Sequence, residues 1–467
     1  MTFSNTTSDA RREAAATVRQ GAGVAANASA WSALGLIVAV GGLLSWRFFR
    51  FIARKQVNIL FRDQWDYYNP LFQGASVWTL FRWQHGPHRL RVGGILTGLV
   101  ADLSRWDSVM DAVVAGVVVV LCVPVALLVK ARLSGRIDLW DALVPLLFLT
   151  LRSFEIFVIT PDMSHGPVPL LLLMLFGLCL TLPGLYLRTA GLLALNALSV
   201  YTGFGILLGL ITPFLIAIEA GRRAVDGREC VPFLALCVVV AVATLAAFMV
   251  GYRYTTAVAC FEFPHPRPWE YFPYAALMLS LPFGWLGKTK ISVLLGLGTL
   301  ATLLALVVTA ARRAGSRDAS GTSSAVLLTF AGFTTLFVAN ATVGRICQGV
   351  ETSQASRYVL YLVPGLFAIY LALRLGGGWA RRLATVAFAA LLITGELRVH
   401  AQYRGLLRGF CGGKARWRAC YLQRADIAAC DRLTHFTVHP SPQAAGLDWK
   451  LDYLKRRRLN LFNESGT

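Results

Sequence analysis

Long uninterrupted apolar runs recur along this chain, and they constrain its fold more than any other feature of the sequence. A run such as residues 108–129 is long enough to cross the hydrocarbon core of a bilayer as a helix. Hydrophobic residues make up 56% of the 467 residues and charged residues only 15%, against roughly 25% in soluble chains. This composition excludes a water-soluble enzyme and a wholly disordered chain. Continuous runs, where a transmembrane barrel would show alternating ten-residue strands, argue against a barrel.

The runs predict an all-α polytopic membrane protein with a bundle of about eleven transmembrane helices. Residues 190–203 and 205–220 could instead form one long tilted helix. The apolar segment 271–287 carries Pro273 and Pro282, so we interpret it as re-entrant or interfacial. The predicted spans are residues 31–46, 108–129, 141–159, 167–186, 190–203, 205–220, 231–251, 291–310, 324–342, 358–374 and 383–397.

The distribution of arginine and lysine between the spans predicts the orientation. The basic connections after residues 129, 220, 310 and 374 all fall on the side of the N-terminus. An odd number of spans then places the N-terminus inside and the C-terminus outside. We expect three regions: a disordered cytoplasmic tail at 1–30, a transmembrane domain at 31–397 and a small extracytoplasmic region at 398–467. The first outer loop, 47–107, is long and carries many cations on the wrong side for the rule, which binding of an anionic lipid would explain.

The formal charge is strongly positive, with 45 Lys+Arg against 24 Asp+Glu and a net +21. These residues are scattered between apolar runs and not gathered in one arm. Membrane topology and contact with lipid headgroups explain most of them, and we expect no nucleic-acid partner. A subset could hold a phosphate or diphosphate.

The first outer loop carries the first polar constellation. Asp63 and Asp66 are three residues apart, so on a helical turn they share a face and could act as a general base, as metal ligands or as solvated charges. His85 and His88 are also three apart, but Gly86-Pro87 between them breaks a helix. They could bind a metal, or join the following cation, Arg89, in neutralising a phosphate.

A second constellation follows the predicted span 324–342. Arg345, Glu351 and Arg357, with Tyr358, would lie at the outer membrane surface. A Glu–Arg ion pair could join two helix ends there, or the two arginines could grip a phosphate. The cost of unpaired charge at the membrane boundary favours the second interpretation.

Three of the nine cysteines lie in the polar C-terminal region. Cys411, Cys420 and Cys430 form no CxxC pair, so a zinc site is poorly supported. In an oxidising compartment one disulfide is expected among them. Cys420 with Cys430 is the first choice, although spacing alone does not select the pair.

The order of these motifs resembles the GT-C superfamily of integral-membrane glycosyltransferases, in which an acidic pair follows the first span. The resemblance is carried by Asp63-Gln-Trp-Asp66, Gln84-His-Gly-Pro-His-Arg89, Gly344-Arg-Ile-Cys-Gln-Gly349 and Ala355-Ser-Arg-Tyr358. It is closest to a bacterial group with a similar His/Arg string after the acidic loop and a similar C-terminal ending. The motifs are short, and their order along most of the chain carries the likeness.

The resemblance implies a GT-C-like fold in a bacterial inner membrane and a polyprenyl-phosphate-linked sugar donor used on the outer face. Asp63 would be the general base, with Asp66 as its helper or alternate. The base would activate an acceptor hydroxyl of a glycan, lipid or protein for inverting attack. Positive charge for the departing phosphate would come from His85, His88, Arg89, Arg345 and Arg357, beside Tyr358. A divalent cation such as Mg²⁺ or Mn²⁺ stays open as a cofactor.

Two other functions compete with transfer. A transporter or flippase of an anionic lipid-linked glycan would use the basic residues to line a path, with broken helices near Tyr201–Gly205 and Pro282 as gates. No inverted repeat is apparent, which counts against it. A catalytically inactive assembly partner with the same fold is the other alternative, and the retained acidic and cationic residues argue against it.

Overall fold

A computed structural model describes residues 6–225, 227, 229–253, 258–316 and 319–463, without the side chains of residues 6–29, 91 and 319. Within these residues the chain is helical apart from one short hairpin, as expected of the all-α class. The first outer loop and the segment before it contain α1 (Thr6–Lys55), α2 (Gln64–Tyr67), α3 (Asn69–Phe72), α4 (Val77–Arg82), β1 (Gln84–His85), β2 (His88–Arg89) and α5 (Arg91–Ser104). The first helix continues through Lys55, so the loop begins later than its predicted start at residue 47. The interpretation of residues 1–30 as a cytoplasmic tail stays a prediction.

The bundle and the C-terminal region follow. Their helices are α6 (Ser108–Ser134), α7 (Leu143–Phe148), α8 (Pro167–Leu180), α9 (Leu185–Val200), α10 (Ile206–Val225), α11 (Val231–Met249), α12 (Tyr271–Ser280), α13 (Lys290–Ala314), α14 (Ala319–Arg345), α15 (Val359–Leu375), α16 (Trp379–Arg424), α17 (Ile427–Thr434) and α18 (Leu447–Arg457). Seven helices of the described chain, in α1, α6, α11 and α13 to α16, are long and apolar enough to cross a membrane. This agrees with a multi-pass membrane protein, and the total of about eleven spans stays a prediction.

The predicted span 141–159 is not one helix. Residues 139–159 form short 3₁₀ and α-helical pieces and end in a π-helical turn, Glu155–Ile159. The irregular backbone is buried and needs partners from other helices. Glu396 of α16 supplies them, because it accepts hydrogen bonds from Thr150 Oγ1 (2.6 Å) and Leu151 N (3.2 Å) and pairs with Arg47 of α1. The guanidinium of Arg152, fully buried, donates to the Gly395 carbonyl and to Gln402.

Two predicted breaks occur where glycine and proline interrupt the apolar runs. The chain turns at residues 201–205 between α9 and α10, so 190–220 is two helices and not one. Gly203 has φ +47° there, and a Cβ on it would meet the Ser164 carbonyl at 2.4 Å. The segment 271–287 contains α12, whose ten residues span about 15 Å, half of a bilayer core. This length fits the interfacial interpretation.

The first outer loop and the C-terminal region pack together. Arg62 N donates to the Val438 carbonyl at 2.8 Å, and Lys450 Nζ donates to the Trp65 carbonyl at 2.6 Å. Asn460 adds hydrogen bonds to Asn58 and to the Trp106 carbonyl (2.7 Å). The C-terminal region thus holds the acidic loop in place.

Candidate functional site

A two-stranded hairpin presents the two predicted histidines. The strands β1 and β2 pair antiparallel, with His85 opposite His88. Cross-strand partners share a face of a hairpin, so the two imidazoles project to the same side. Gly86 makes the turn with φ +53°, a conformation that favours glycine. A hairpin, and not a helical turn, therefore brings the two histidines of the HxxH motif side by side.

The segment before α8 brings a third histidine and a carboxylate to this hairpin. His165 Nδ1 lies 2.5 Å from Asp162 Oδ2, and the His165 ring stacks edge-on against His88 with centroids 4.6 Å apart. Asp162 Oδ1 also accepts from Ser164 N (2.8 Å) and His165 N (3.1 Å), which closes the turn. Tyr67 and Gln64 both donate to the Pro161 carbonyl, so α2 fixes this segment beside the acidic loop.

The three histidines differ in the direction of their pKa shifts because their neighbours differ. Burial lowers the pKa of His165, but the Asp162 carboxylate outweighs it, so the net pKa is raised. Burial raises the pKa of Asp162, and His165 with the turn amides brings it below its ordinary value. Burial, with His165 next, lowers the pKa of His88 strongly and that of His85 less. The pKa of His165 thus lies above the ordinary histidine value, and the pKa values of His88 and His85 lie below it.

Asp63 lies exposed at the start of α2 and faces this cluster. Its carboxylate interacts electrostatically with His85, His165 and Arg357. It makes no cap hydrogen bond to the helix that follows it. An accessible carboxylate without a bound proton donor among the described residues is available to accept a proton from a ligand.

Asp66 has different partners, although it also influences His85. Its Oδ2 lies 3.2 Å from Nε2 of His439, a buried residue of the C-terminal region. Its charge also acts on Lys450, whose pKa is lowered by burial. The two carboxylates are thus not equivalent: Asp63 is open to the cluster and Asp66 ties the loop to the C-terminal region.

The second constellation reaches the same place from α14 and α15. Arg345, the last residue of α14, is half-buried, interacts electrostatically with His88, and has no ion pair or hydrogen bond of its side chain among the described residues. Arg357 pairs with Glu155 of the π-helical turn at 3.0 Å and not with Glu351, which is exposed. Tyr358 is buried against Phe337, with ring centroids 5.8 Å apart.

Arg89 is placed elsewhere. Its side chain is 4% exposed, and Nη2 donates to the Val250 carbonyl at 2.7 Å. The guanidinium also lies over the rings of Phe248 (5.4 Å) and Tyr252 (5.9 Å). These contacts give Arg89 a packing role between the hairpin and the end of α11.

Aromatic residues of the acidic loop are part of the core. Trp65 is fully buried and stacks on Phe72, and Tyr67 and Tyr68 are also buried. Trp78 is exposed and stacks with Phe81 at 5.4 Å. Trp78 is therefore accessible to a membrane or a ligand, in contrast to Trp65, Tyr67 and Tyr68.

Two disulfides occur, Cys420–Cys430 and Cys260–Cys347. The first is the pair that was the first choice from the sequence, and it joins α16 to α17. The second was not predicted, since Cys260 and Cys347 lie in different connections, 87 residues apart. It ties the connection after α11 to the chain two residues beyond Arg345. Within the described residues no group of three or more His, Cys, Asp or Glu side chains is placed to hold a metal ion.

Sequence reasoning missed Asp162, His165 and Glu155. Asp162 and His165 lie in Pro161-Asp-Met-Ser-His-Gly-Pro167, a polar insert between two apolar runs. This insert is the sequence feature that could have identified them. Glu155 was inside the predicted span 141–159, where no polar role was expected. Charge in an apolar run is costly and marks function or a buried pair.

Comparison of the chain with protein-family models, with curated proteins and with solved structures gave no significant match. The resemblance to GT-C glycosyltransferases therefore rests on the sequence motifs alone.

Proposed function

We propose that this protein is a membrane glycosyltransferase that moves a sugar from a polyprenyl-phosphate donor to an extracytoplasmic acceptor, with inversion. The observation that carries the proposal is that imidazoles and cations from three connections meet beside Asp63. His85 and His88, His165, Arg345 and Arg357 all reach one end of the bundle. A donor whose phosphate lies at headgroup depth would enter at such an end, whereas transporter sites lie near the midplane.

The reaction follows from these positions. Asp63 takes the proton from an acceptor hydroxyl, and the hydroxyl oxygen attacks the anomeric carbon. The bond from that carbon to the phosphate oxygen breaks, and its electron pair leaves with polyprenyl phosphate. Arg345 and His165, in its protonated form, stabilise the added negative charge of the leaving phosphate. Arg357, held by Glu155, adds positive charge beside Asp63.

The redox state of the cysteines supports an extracytoplasmic site. Both disulfides lie at the end of the bundle that carries the site, in the connections after α11 and α14 and in the C-terminal region. Cys230, between α10 and α11 at the opposite end, is free. Disulfides form in oxidising compartments such as the periplasm. We therefore propose an inner-membrane protein with its N-terminus inside and its C-terminus outside.

The test is cleavage of the donor by the purified protein in lipid. A panel of polyprenyl-phosphate sugars is supplied, and release of polyprenyl phosphate is followed by mass spectrometry, with wild type compared with Asp63→Asn. We expect one donor to be cleaved, slowly by water and faster with acceptor, and cleavage to fall at least about 100-fold in the variant. Donor movement across the bilayer without cleavage would replace the proposal with the flippase. No cleavage and no movement, with every acceptor class supplied, would favour the inactive partner.

A further inference from the structure

The opposite end of the bundle contains a second charged cluster that the proposed reaction does not use. Glu219, near the end of α10, accepts from Arg222 and Arg223 of its own helix at 2.6 Å each, and from Arg188 of α9 at 3.2 Å. All four side chains are 15–21% exposed. The cluster is therefore half-enclosed at a membrane boundary, where charge is costly to leave unbalanced.

Its charges do not balance. Three guanidinium groups share one carboxylate, and their remaining described partners are neutral. Arg222 Nη1 donates to the Ser316 carbonyl (3.3 Å) and Arg188 Nη1 to the Leu182 carbonyl (3.2 Å). Nε of Arg222 is buried and has no acceptor among the described residues. A buried donor without a partner is destabilising, so the site favours an added anion.

The neighbouring connections do not supply this anion by composition. Four residues there lie outside the described part of the chain, and they are two acids and two bases: Asp226, Arg228, Arg317 and Asp318. Their charges cancel. The described part of these connections contributes two bases, Arg312 and Arg313, and one acid, Glu229. All three are exposed, and together they add one positive charge.

A cavity opens directly beside the cluster, between α8, α9, α10, α11 and α14. Arg188, Glu219 and Arg222 line its polar end. Leu192, Leu215 and Leu234 line its wall. A cavity with cations at the membrane boundary and an apolar wall toward the membrane interior matches a phospholipid, whose charged headgroup and acyl chain have the same separation.

We propose that this cavity, the arginine pocket, binds an anionic glycerophospholipid of the leaflet on that side. Arg222 and Arg188 hold the phosphate through their guanidinium forks, and an acyl chain lies along the leucine wall. Arginine suits this role because its planar fork matches a phosphate and its charge is permanent. The lipid completes the charge balance of the cluster and joins α9, α10 and α14. The site is independent of the glycosyl transfer proposed above.

The experiment is native mass spectrometry of the full chain released from vesicles of equal phosphatidylglycerol and phosphatidylcholine. We expect wild type to retain phosphatidylglycerol preferentially and Arg222→Gln to retain it about tenfold less, the loss of one charge-assisted contact. Arg313→Gln removes an exposed cation from the same end of the bundle and should retain lipid as wild type does. Arg222→Lys keeps the charge without the fork and should fall between the two.

A second experiment distinguishes binding of a whole lipid from binding of a free anion. Added phosphatidylglycerol should raise the unfolding midpoint of wild type, and inorganic phosphate at the same concentration should not. Equal retention of both lipids, equal effects of Arg222→Gln and Arg313→Gln, or stabilisation by phosphate alone would each overturn the proposal. If Arg222→Gln elutes as an aggregate, the test uses Arg222→Lys instead. Retention of phosphatidylglycerol by Arg222→Lys at the wild-type level would contradict the proposed contact of the guanidinium fork with the phosphate.

Discussion

At the scale of single residues, the site depends on which carboxylates are paired and which are open. Asp162 is committed to His165 at 2.5 Å, Glu155 to Arg357 at 3.0 Å and Asp66 to His439 at 3.2 Å. Asp63 has cations and imidazoles around it but no such direct partner among the described residues. The paired acids thus position the cations, and the open one is left for the acceptor.

The Asp162–His165 pair predicts a pH dependence of stability. Because the pKa of His165 is raised on folding, its contribution is present below the ordinary histidine value of about 6.5 and is lost as pH rises through the folded value. Because the pKa of Asp162 is lowered, its contribution is present above about 3.9 and is lost at lower pH. The stability difference between wild type and His165→Gln should therefore be largest between about pH 4 and 6.5.

Thermal unfolding midpoints of both proteins, measured from pH 4.5 to pH 9, check this expectation. His435→Gln, an exposed histidine of the C-terminal region, is the matched control and should give no such trend. A difference that is constant with pH, or that grows toward pH 9, would contradict an ion pair at this position.

The motifs predicted about half of this constellation. Asp63, His85 and His88 stand out in the sequence because they belong to a polar cluster between two apolar runs. Arg345 and Arg357 stand out because each lies at the edge of an apolar run. Asp162 and His165 could not be assigned, since their role depends on a hairpin 75 residues earlier folding back onto them. Arg89 is the opposite case. Its motif predicted a phosphate-binding role, but its guanidinium packs on Phe248 and Tyr252, away from the histidine cluster.

At the scale of elements, apolar runs predict helices well where the helix is continuous. The predicted 108–129, 231–251 and 291–310 match α6, α11 and α13 to within a few residues. The prediction fails at 141–159, because Arg152 and Glu155 draw the backbone into turns that pair with other helices. Those partners lie in other helices, so the sequence of residues 141–159 alone could not predict the turns.

Glu396 is the residue on which this broken segment depends. Glu396→Gln should destabilise the protein by on the order of 2 kcal/mol, less than the 3–5 of a fully buried pair, because Arg47 is 30% exposed. The charge of Arg47 would be left without its partner. A lower unfolding midpoint in detergent, together with reduced glycosyl transfer, checks this. Asp102→Asn, an exposed acid of α5, should change neither quantity, and an unchanged midpoint for Glu396→Gln would exclude the support role.

At the scale of the whole molecule, the two ends of the bundle differ in chemistry. One end carries the histidine cluster, the C-terminal region and both disulfides. The other carries the arginine pocket, the free Cys230 and the ion pairs of Asp138 with Lys130 and Arg374. This asymmetry agrees with the proposed orientation, in which one face is oxidising and the other is basic.

Thiol labelling tests this orientation. In a variant with Cys411→Ala, Cys230 should react with a membrane-impermeant maleimide only after the cells are opened. A cysteine introduced at Ser441, exposed in the C-terminal region, should react in intact cells. Labelling of Cys230 in intact cells, or protection of the residue 441 cysteine, would reverse the orientation and place the site inside.

The most direct test of the central claim compares Asp63→Asn with Asp66→Asn on the cleaved donor. We expect Asp63→Asn to lower kcat by about 10²–10⁴ and to leave the unfolding midpoint unchanged. Asp66→Asn should keep kcat within about tenfold and lower the midpoint, because it breaks the contact with His439. Wild-type turnover in Asp63→Asn, or equal losses in both variants at an unchanged midpoint, would contradict Asp63 as the base.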